Sequence, residues 1–153
     1  MSTRKETGQR DPAACACLNL RKTARVVTQA YDAHLRPTGL RATQFSLLAT
    51  LAPRQPVGVT QLAAKLVMDR TTLTRNLRPL EKRGLIRMAA GADSRVHEIS
   101  LTEEGRAALQ AAIPYWENAQ NSIAERLSEP RLDRLLTDLA AAREVFRPGY
   151  RHG

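Results

Sequence analysis

The segment Asp69–Gly84, DRTTLTRNLRPLEKRG, has the ends of a helix and two unlike faces. Asp69 is a favourable N-cap, and glycine is the residue that most often follows a helix C-terminus. At ~100° per residue the leucines fall on one arc, and cationic and threonine side chains fall roughly opposite. The leucines are Leu73, Leu77 and Leu80, and the opposite arc holds Thr71, Arg75, Arg78 and Lys82. The pattern predicts a short helix whose leucines pack against a core.

The cationic face of this helix could be an ordinary solvated surface. Acidic residues at i±4 are nearly absent, however, so the charges are not neutralised within the helix. Arginine forks suit guanine edges and phosphates, and threonine suits phosphates and thymine methyl groups. Pro79 lies next to this face and is expected to bend the helix near its end. We therefore expect the face to bind DNA.

The flanking segments complete a DNA-binding motif. Thr60 is expected to cap a helix of about two turns ending near Leu66, and a short junction, 67–69, leads into the cationic helix. After it, 85–89 and 96–101 read as two strands of a hairpin. This order predicts a winged helix-turn-helix over 42–101.

The remaining chain reads as mostly α. Apolar residues spaced by three and four predict a first helix over about 14–36, and Thr43 is expected to cap a second, buried helix. Thr102 is expected to cap a long helix that bends at Pro114. Ser128 is expected to cap a last helix that includes Phe146. The terminal segments 14–38 and 103–148 carry more apolar surface than one small subunit covers, which favours a dimerisation lobe over a monomeric bundle. Residues 1–13 and 149–153 are expected to be tails of the 14–148 domain.

Composition narrows the function classes. The net charge of +9 favours nucleic acid or an anionic surface as a partner. No segment has the ~20 apolar residues of a membrane span, and a reduced, cytoplasmic setting is expected. Without a Gly-rich phosphate loop, a GxSxG sequence or paired carboxylates near a histidine, the sequence predicts no enzyme and no cofactor. The two cysteines and three scattered histidines predict no metal site.

In the predicted helix-turn-helix and the hairpin that follows it, the chain resembles the MarR family of bacterial transcription regulators. The resemblance rests on VTQLAAKLVMDRTTLTRNLRPLEKRGLIRM, then on Asp93-Ser94-Arg95, and then on ISLTEEG at 99–105. It extends from about Cys15 to Phe146 and implies a homodimeric repressor with one winged helix-turn-helix per subunit, bound to double-stranded DNA at an inverted-repeat operator.

The resemblance also implies which residues contact DNA. The second helix of the motif should enter the major groove, and Arg95 at the wing tip should enter the minor groove, with Asp93 holding its guanidinium. Asp93 and Arg95 could instead be only a surface pair. The implied DNA-binding residues are Arg70, Thr71, Thr72, Arg75, Arg78, Lys82, Asp93 and Arg95.

Members of the family commonly respond to small phenolic or aromatic acids bound between the two lobes. The candidate lining residues are Tyr31, His34, Arg41, Gln44 and Trp116. Each of them could equally be core or solvated surface.

Two alternatives stay open. One subgroup of the family senses organic hydroperoxides through an early cysteine, which Cys17 matches, with Tyr31 at the corresponding spacing; Cys17 could instead be a small apolar core residue. A Cys15–Cys17 disulfide is disfavoured because side chains two apart on a helix point ~160° away from each other. The second alternative is a sequence-neutral DNA-packaging protein, since basic charge alone gives salt-sensitive binding.

Overall fold

The computed structural model describes residues 11–92 and 97–146. Six α-helices and three short strands follow one another along this part of the chain, and three one-turn 3₁₀ segments, Pro12–Ala14, Arg36–Thr38 and Ala52–Arg54, join or flank them. In chain order the elements are α1 (Ala16–Leu35), α2 (Ala42–Leu51), β1 (Val57–Gly58), α3 (Val59–Lys65), α4 (Arg70–Lys82), β2 (Ile86–Ala90), β3 (His97–Leu101), α5 (Glu103–Leu127) and α6 (Glu129–Val145). The predicted mostly-α winged helix-turn-helix is confirmed.

The wing is an antiparallel sheet with β3 in the centre and β1 and β2 at its sides. Ile86 pairs with Leu101 and Ala90 with His97, while Val57 pairs with Ile99. The hairpin was predicted, but β1 was missed because two residues are too few for an alternating pattern. The predicted second strand began at Val96, which lies outside the described residues.

The core lies between α2, α3, α4 and the sheet. Its most deeply buried side chains are Leu35, Leu48, Leu51, Leu62, Leu73, Leu77, Leu80 and Ile99. α1 packs along α5, and α6 packs against α5. The leucines of α4 thus hold the helix to the core, as its pattern predicted.

Several predicted helix ends differ from the observed ones. α2 begins one residue before Thr43, and the carboxylate of Asp32 on α1 accepts a hydrogen bond from the Ala42 N–H at 2.7 Å. Gly58 is the N-cap of α3, so Thr60 lies inside that helix. Both caps were predicted wrongly, because neither a carboxylate ten residues away nor an extended glycine resembles a local cap.

The caps of the later helices agree better with prediction. Thr102 accepts a hydrogen bond from the Gly105 N–H at 3.0 Å and begins α5. Ser128 precedes α6 but makes no side-chain capping bond, and Phe146 lies just beyond the helix and is exposed. α4 continues through Pro79, and α5 through Pro114.

Candidate nucleic-acid interface

The exposed face of α4 forms an open groove of about 620 Å³. Its lining consists of three arginines and two threonines: Arg70, Thr71, Thr74, Arg75 and Arg78. Leu73, Leu77 and Leu80 on the opposite face are at most 1% exposed, so the orientation of the helix is fixed by burial. The groove therefore presents guanidinium groups from a rigid base.

The arginines of the groove are not neutralised by neighbours. Within 11–92 and 97–146, the ion pairs that form join Arg41 to Asp32 and Arg106 to Glu103, both away from α4. Unpaired guanidinium groups attract polyanions and lose little on binding them, because no existing ion pair must break.

The first turn of α4 is held by Asp69. Its carboxylate accepts hydrogen bonds from the Thr72 N–H at 2.8 Å and from the Thr72 hydroxyl at 2.6 Å. These bonds favour the charged form and lower the pKa of the Asp69 carboxyl group. The predicted cap is correct, and it engages the hydroxyl that we had expected to contact DNA.

Thr74 is the groove residue that the sequence prediction missed. Its hydroxyl donates a hydrogen bond to the Arg70 carbonyl at 2.8 Å, so the hydroxyl hydrogen is already used within the helix. At roughly 40° from Arg70 on the helical projection, it sits between the leucine arc and the cationic arc, so the angle did signal its place. Of the predicted residues, Arg70, Thr71, Arg75 and Arg78 line the groove, whereas Thr72 and Lys82 do not.

The turn between α3 and α4 is compact. The Met68 N–H donates to the Ala63 carbonyl at 2.9 Å, and Val67 adopts a positive φ of 53°. The other end of α4 closes on Gly84, whose φ of 71° is the left-handed conformation expected there. The predicted wing-tip residues Asp93 and Arg95 lie outside the described residues.

A second cavity, of about 280 Å³, lies between α1, α2 and α5. Rings and hydroxyl-bearing side chains dominate its lining, which consists of Val27, Thr28, Tyr31, Ala42, Phe45, Ser46 and Trp116. The Phe45 and Trp116 rings stack with centroids 5.8 Å apart. The Tyr31 hydroxyl donates to the Gln120 side-chain oxygen, and burial raises the pKa of Tyr31.

Only part of the predicted ligand set meets at this cavity. Tyr31 and Trp116 line it, but His34 lies 2.9 Å from the Ala30 carbonyl, and Arg41 lies 3.8 Å from the Asp32 carboxylate. Gln44 accepts a hydrogen bond from the Arg41 N–H. These three residues were named from the family resemblance, and none of them is among the residues that line the cavity.

The cysteines lie at the start of α1, and both thiols are free and exposed. The interpretation of Cys17 as a core residue is therefore wrong within one subunit. Cys15 is the N-cap, with an extended ψ of 118°, so the argument against a disulfide, which placed both residues on a helix, does not apply.

The described residues contain no group of three or more histidine, cysteine or acidic side chains that could bind a metal. Among these same residues, no helix has the length and hydropathy required to cross a bilayer.

Comparison with known proteins identifies the family of the chain. A model of the MarR family matches residues 40–95, which include the helix-turn-helix and the strands β1 and β2 but not β3. The M. tuberculosis transcriptional regulator MosR, solved in complex with DNA, is 44% identical, with a TM-score of 0.76 over 88% of this chain and 99% of its own. This chain belongs to the MarR family. It is a DNA-binding transcription regulator.

Two other relatives extend the comparison. The HTH-type transcriptional regulator SarZ of Staphylococcus haemolyticus is 31% identical over 58% of this chain, and the match spans 61% of SarZ. The transcriptional repressor CouR, solved on a 23-mer DNA duplex, is 27% identical, with a TM-score of 0.77 over 85% of this chain and 93% of CouR.

Proposed function

We propose that this chain is a homodimeric repressor that binds an inverted-repeat operator and releases it when a small aromatic molecule binds. The observation that carries the proposal is the α4 groove, where three guanidinium groups stand unpaired above buried leucines. An exposed helix of this charge fits the major groove, where arginine reads guanine with two hydrogen bonds. MosR on DNA and the repressor CouR on DNA support this docking.

Arg70, Thr71, Arg75 and Arg78 are proposed to contact the operator, together with the methyl group of Thr74. Thr72 acts through the helix cap, because its hydroxyl already donates to Asp69. Lys82 is proposed to contact phosphate at the end of the helix. Arg95 is proposed to enter the minor groove, where negative potential favours arginine, with Asp93 orienting it.

The dimer is proposed to form through α1, α6 and the end of α5. Leu18, Leu20, Val26 and Val27 on α1, and Leu135, Leu136 and Val145 on α6, are exposed in the isolated subunit. Apolar exposure on this scale marks an association surface, and a two-fold partner covers it with the same residues.

The experiment that tests DNA recognition is selection from a pool of random duplexes, followed by footprinting of the winning sequence. Two protected half-sites related by inverted symmetry are expected. Replacing Arg75 with Ala should cost roughly 1–3 kcal/mol and relax base preference if it reads a base. Arg95→Ala should weaken binding mainly through A/T-rich flanks, and Arg54→Ala, an exposed cation outside the groove, is the control.

Spread-out protection of any duplex, with equal losses for Arg75→Ala and Arg95→Ala, would instead establish the DNA-packaging alternative.

The effector is proposed to bind the cavity between α1, α2 and α5. Its described lining offers the hydroxyl groups of Thr28, Tyr31 and Ser46 but no cationic side chain. A carboxylate there would lose water without gaining a counter-charge, which is costly. The cavity therefore favours a phenolic ring over an aromatic acid.

Trp116 is the single tryptophan and lines the cavity, so its fluorescence reports binding directly. Titration with p-cresol should quench it, whereas benzoate at equal concentration should have a weaker effect. Tyr31→Phe should reduce the p-cresol response, and His34→Ala, outside the cavity, should leave it unchanged. A stronger response to benzoate would restore the aromatic-acid proposal.

A second candidate, oxidant sensing, is favoured by the exposure of the Cys17 thiol. An organic hydroperoxide would oxidise the thiol to a sulfenic acid and leave as the alcohol. A tyrosine-assisted version is less favoured, since the Tyr31 hydroxyl is already bonded to Gln120. Loss of DNA binding after hydroperoxide treatment in wild type and Cys15→Ser, but not in Cys17→Ser, would support this candidate.

A further inference from the structure

The three residues that follow α4 each bind another part of the molecule. A guanidinium nitrogen of Arg83, Nη1, donates to the Gly39 carbonyl at 2.9 Å. The Gly84 carbonyl accepts from the Thr102 hydroxyl at 2.6 Å, and the Leu85 carbonyl accepts from the Thr102 N–H at 3.1 Å. The end of the DNA-facing helix is thus bonded to the turn before α2 and to the start of α5.

The contact of α5 with this segment is close. A Cβ on Gly105 would come within 1.8 Å of the Leu85 carbonyl oxygen. Only glycine permits that approach, so the backbone of α5 lies directly on the chain leaving α4. This side of the junction is held by close backbone packing, whereas on the other side the hydrogen bond comes from one side chain, Arg83.

Arg83 is directed away from the α4 groove. On the helical projection it lies at roughly 220° from Arg70, whereas the groove residues fall between roughly 0° and 140°. Arg83 is also absent from the groove lining. Its guanidinium therefore lies toward the turn at Gly39 rather than on the face proposed to meet bases.

The turn that contacts Arg83 is hydrogen-bonded to the C-terminal end of α1. The Gly39 N–H donates to the Arg36 carbonyl at 3.1 Å, and the Thr38 hydroxyl donates to the Leu35 carbonyl at 2.7 Å. Asp32, one helical turn earlier, holds the first N–H of α2. A bond to the Gly39 carbonyl is in effect a bond to the C-terminal end of α1.

We infer that Arg83 is a positioning residue that sets the angle of α4 relative to α1. The inference rests on the proposed function, in which α1 belongs to the dimer interface. Two α4 helices in a dimer must reach half-sites about 34 Å apart, so a change in their angle changes the half-site spacing that fits best. α1 also lines the proposed effector cavity, so the same bond connects that cavity to the DNA-facing helix.

The bond itself is tested without DNA, by hydrogen exchange in the full-length protein. Arg83→Gln should speed amide exchange in 36–42 and in 83–86, because each loses its link to the other. Arg83→Lys keeps a charged donor on a longer side chain than the neutral amide of glutamine and should restore most of the protection. Arg54→Gln removes an exposed charge elsewhere and should change neither segment. Unchanged exchange in Arg83→Gln would overturn the inference.

The positioning role is tested with the selected operator and duplexes whose half-site spacing is altered by one base pair in either direction. Wild type should prefer one spacing sharply. Arg83→Gln should bind that duplex about tenfold more weakly and discriminate less among the three, since a charge-assisted bond is lost. Arg83→Lys should recover the preference.

Salt dependence separates this role from a phosphate contact. The slope of log affinity against log salt concentration is negative, and the loss of one phosphate contact makes it shallower by about 0.9. The loss of a positioning residue leaves this slope unchanged. A lower slope with the spacing preference intact would make Arg83 a phosphate ligand and overturn the inference, while the proposed function stands. If wild type selects no duplex, the proposed function itself fails.

Discussion

α4 and α6 both carry leucines at helical spacing, but the two helices place them differently. Leu73, Leu77 and Leu80 of α4 are at most 1% exposed, whereas α6 has no buried residue and its Leu136 is 51% exposed. An apolar stripe therefore predicts that a helix face will be buried, but it does not predict which part of the molecule or which partner will bury it. The core of the same subunit covers α4, and we propose that a second copy of the chain covers α6.

The polar faces of the two helices differ as well. α4 presents arginines with a single acid, Glu81, between Arg70 and Lys82. α6 mixes four acidic residues, Glu129, Asp133, Asp138 and Glu144, with three arginines, so its charge is nearly balanced. A face with balanced charges is typical of a solvent-exposed surface, whereas a face with excess positive charge attracts a polyanion. The polar faces of the two helices therefore suit different partners.

The largest expected effect is on the proposed α6 interface. The double replacement Leu135→Asp and Leu139→Asp would bury unpaired charges between two subunits, and we expect it to release monomers. Light scattering measures the mass directly. Ala141→Asp, an exposed position on the opposite face of the same helix, is the control and should remain dimeric. A double variant that stays dimeric would show that α6 is covered in another way.

The next effect separates the two kinds of leucine. Leu77→Ala leaves a cavity in the subunit core and should lower the free energy of unfolding by ~2–5 kcal/mol at any protein concentration. Leu136→Ala should cost less, and its cost should depend on concentration because it reports on association. Denaturant unfolding at two concentrations measures both. A concentration-independent loss for Leu136→Ala would place that side chain within the subunit fold.

Much of α4 was predictable because its determinants are local. The Asp69 cap, the leucine arc and the Gly84 terminus all lie within the sixteen residues of the opening segment. Of the groove residues, Thr71, Arg75 and Arg78 followed from the angle per residue, and Arg70 came from the family resemblance. Thr74 was missed because it lies at the border of the two arcs. Local periodicity therefore predicts such a helix without knowledge of its tertiary contacts.

What could not be predicted depends on residues far apart in sequence. The cap of α2 comes from Asp32 on α1, and the bond of Arg83 reaches Gly39 across forty-four positions. His34 and Arg41 were placed in the ligand cavity by position, but each prefers a nearby backbone or carboxylate partner. No periodic pattern encodes these choices, because they depend on which elements pack together.

The smallest effect concerns how the two helices begin. Asp69 accepts two hydrogen bonds from Thr72, whereas Ser128 precedes α6 with a φ of 72° and makes no side-chain cap. Asp69→Ala should therefore lower the denaturant midpoint at neutral pH, and Ser128→Ala should change it less.

Because hydrogen bonds lower the pKa of folded Asp69, its stabilisation is present above the unfolded pKa, near pH 4, and is lost as pH falls through the folded value. The difference between wild type and Asp69→Ala should thus shrink as the pH is lowered from 7 into the acid range, while the Ser128→Ala difference stays constant. Asp69→Asn is the matched control, since asparagine caps a helix without a titrating charge and should keep most of the midpoint at neutral pH. An Asp69→Ala difference that does not change with pH would mean that the carboxylate charge contributes nothing to the start of α4, and that the leucines alone hold this helix in place.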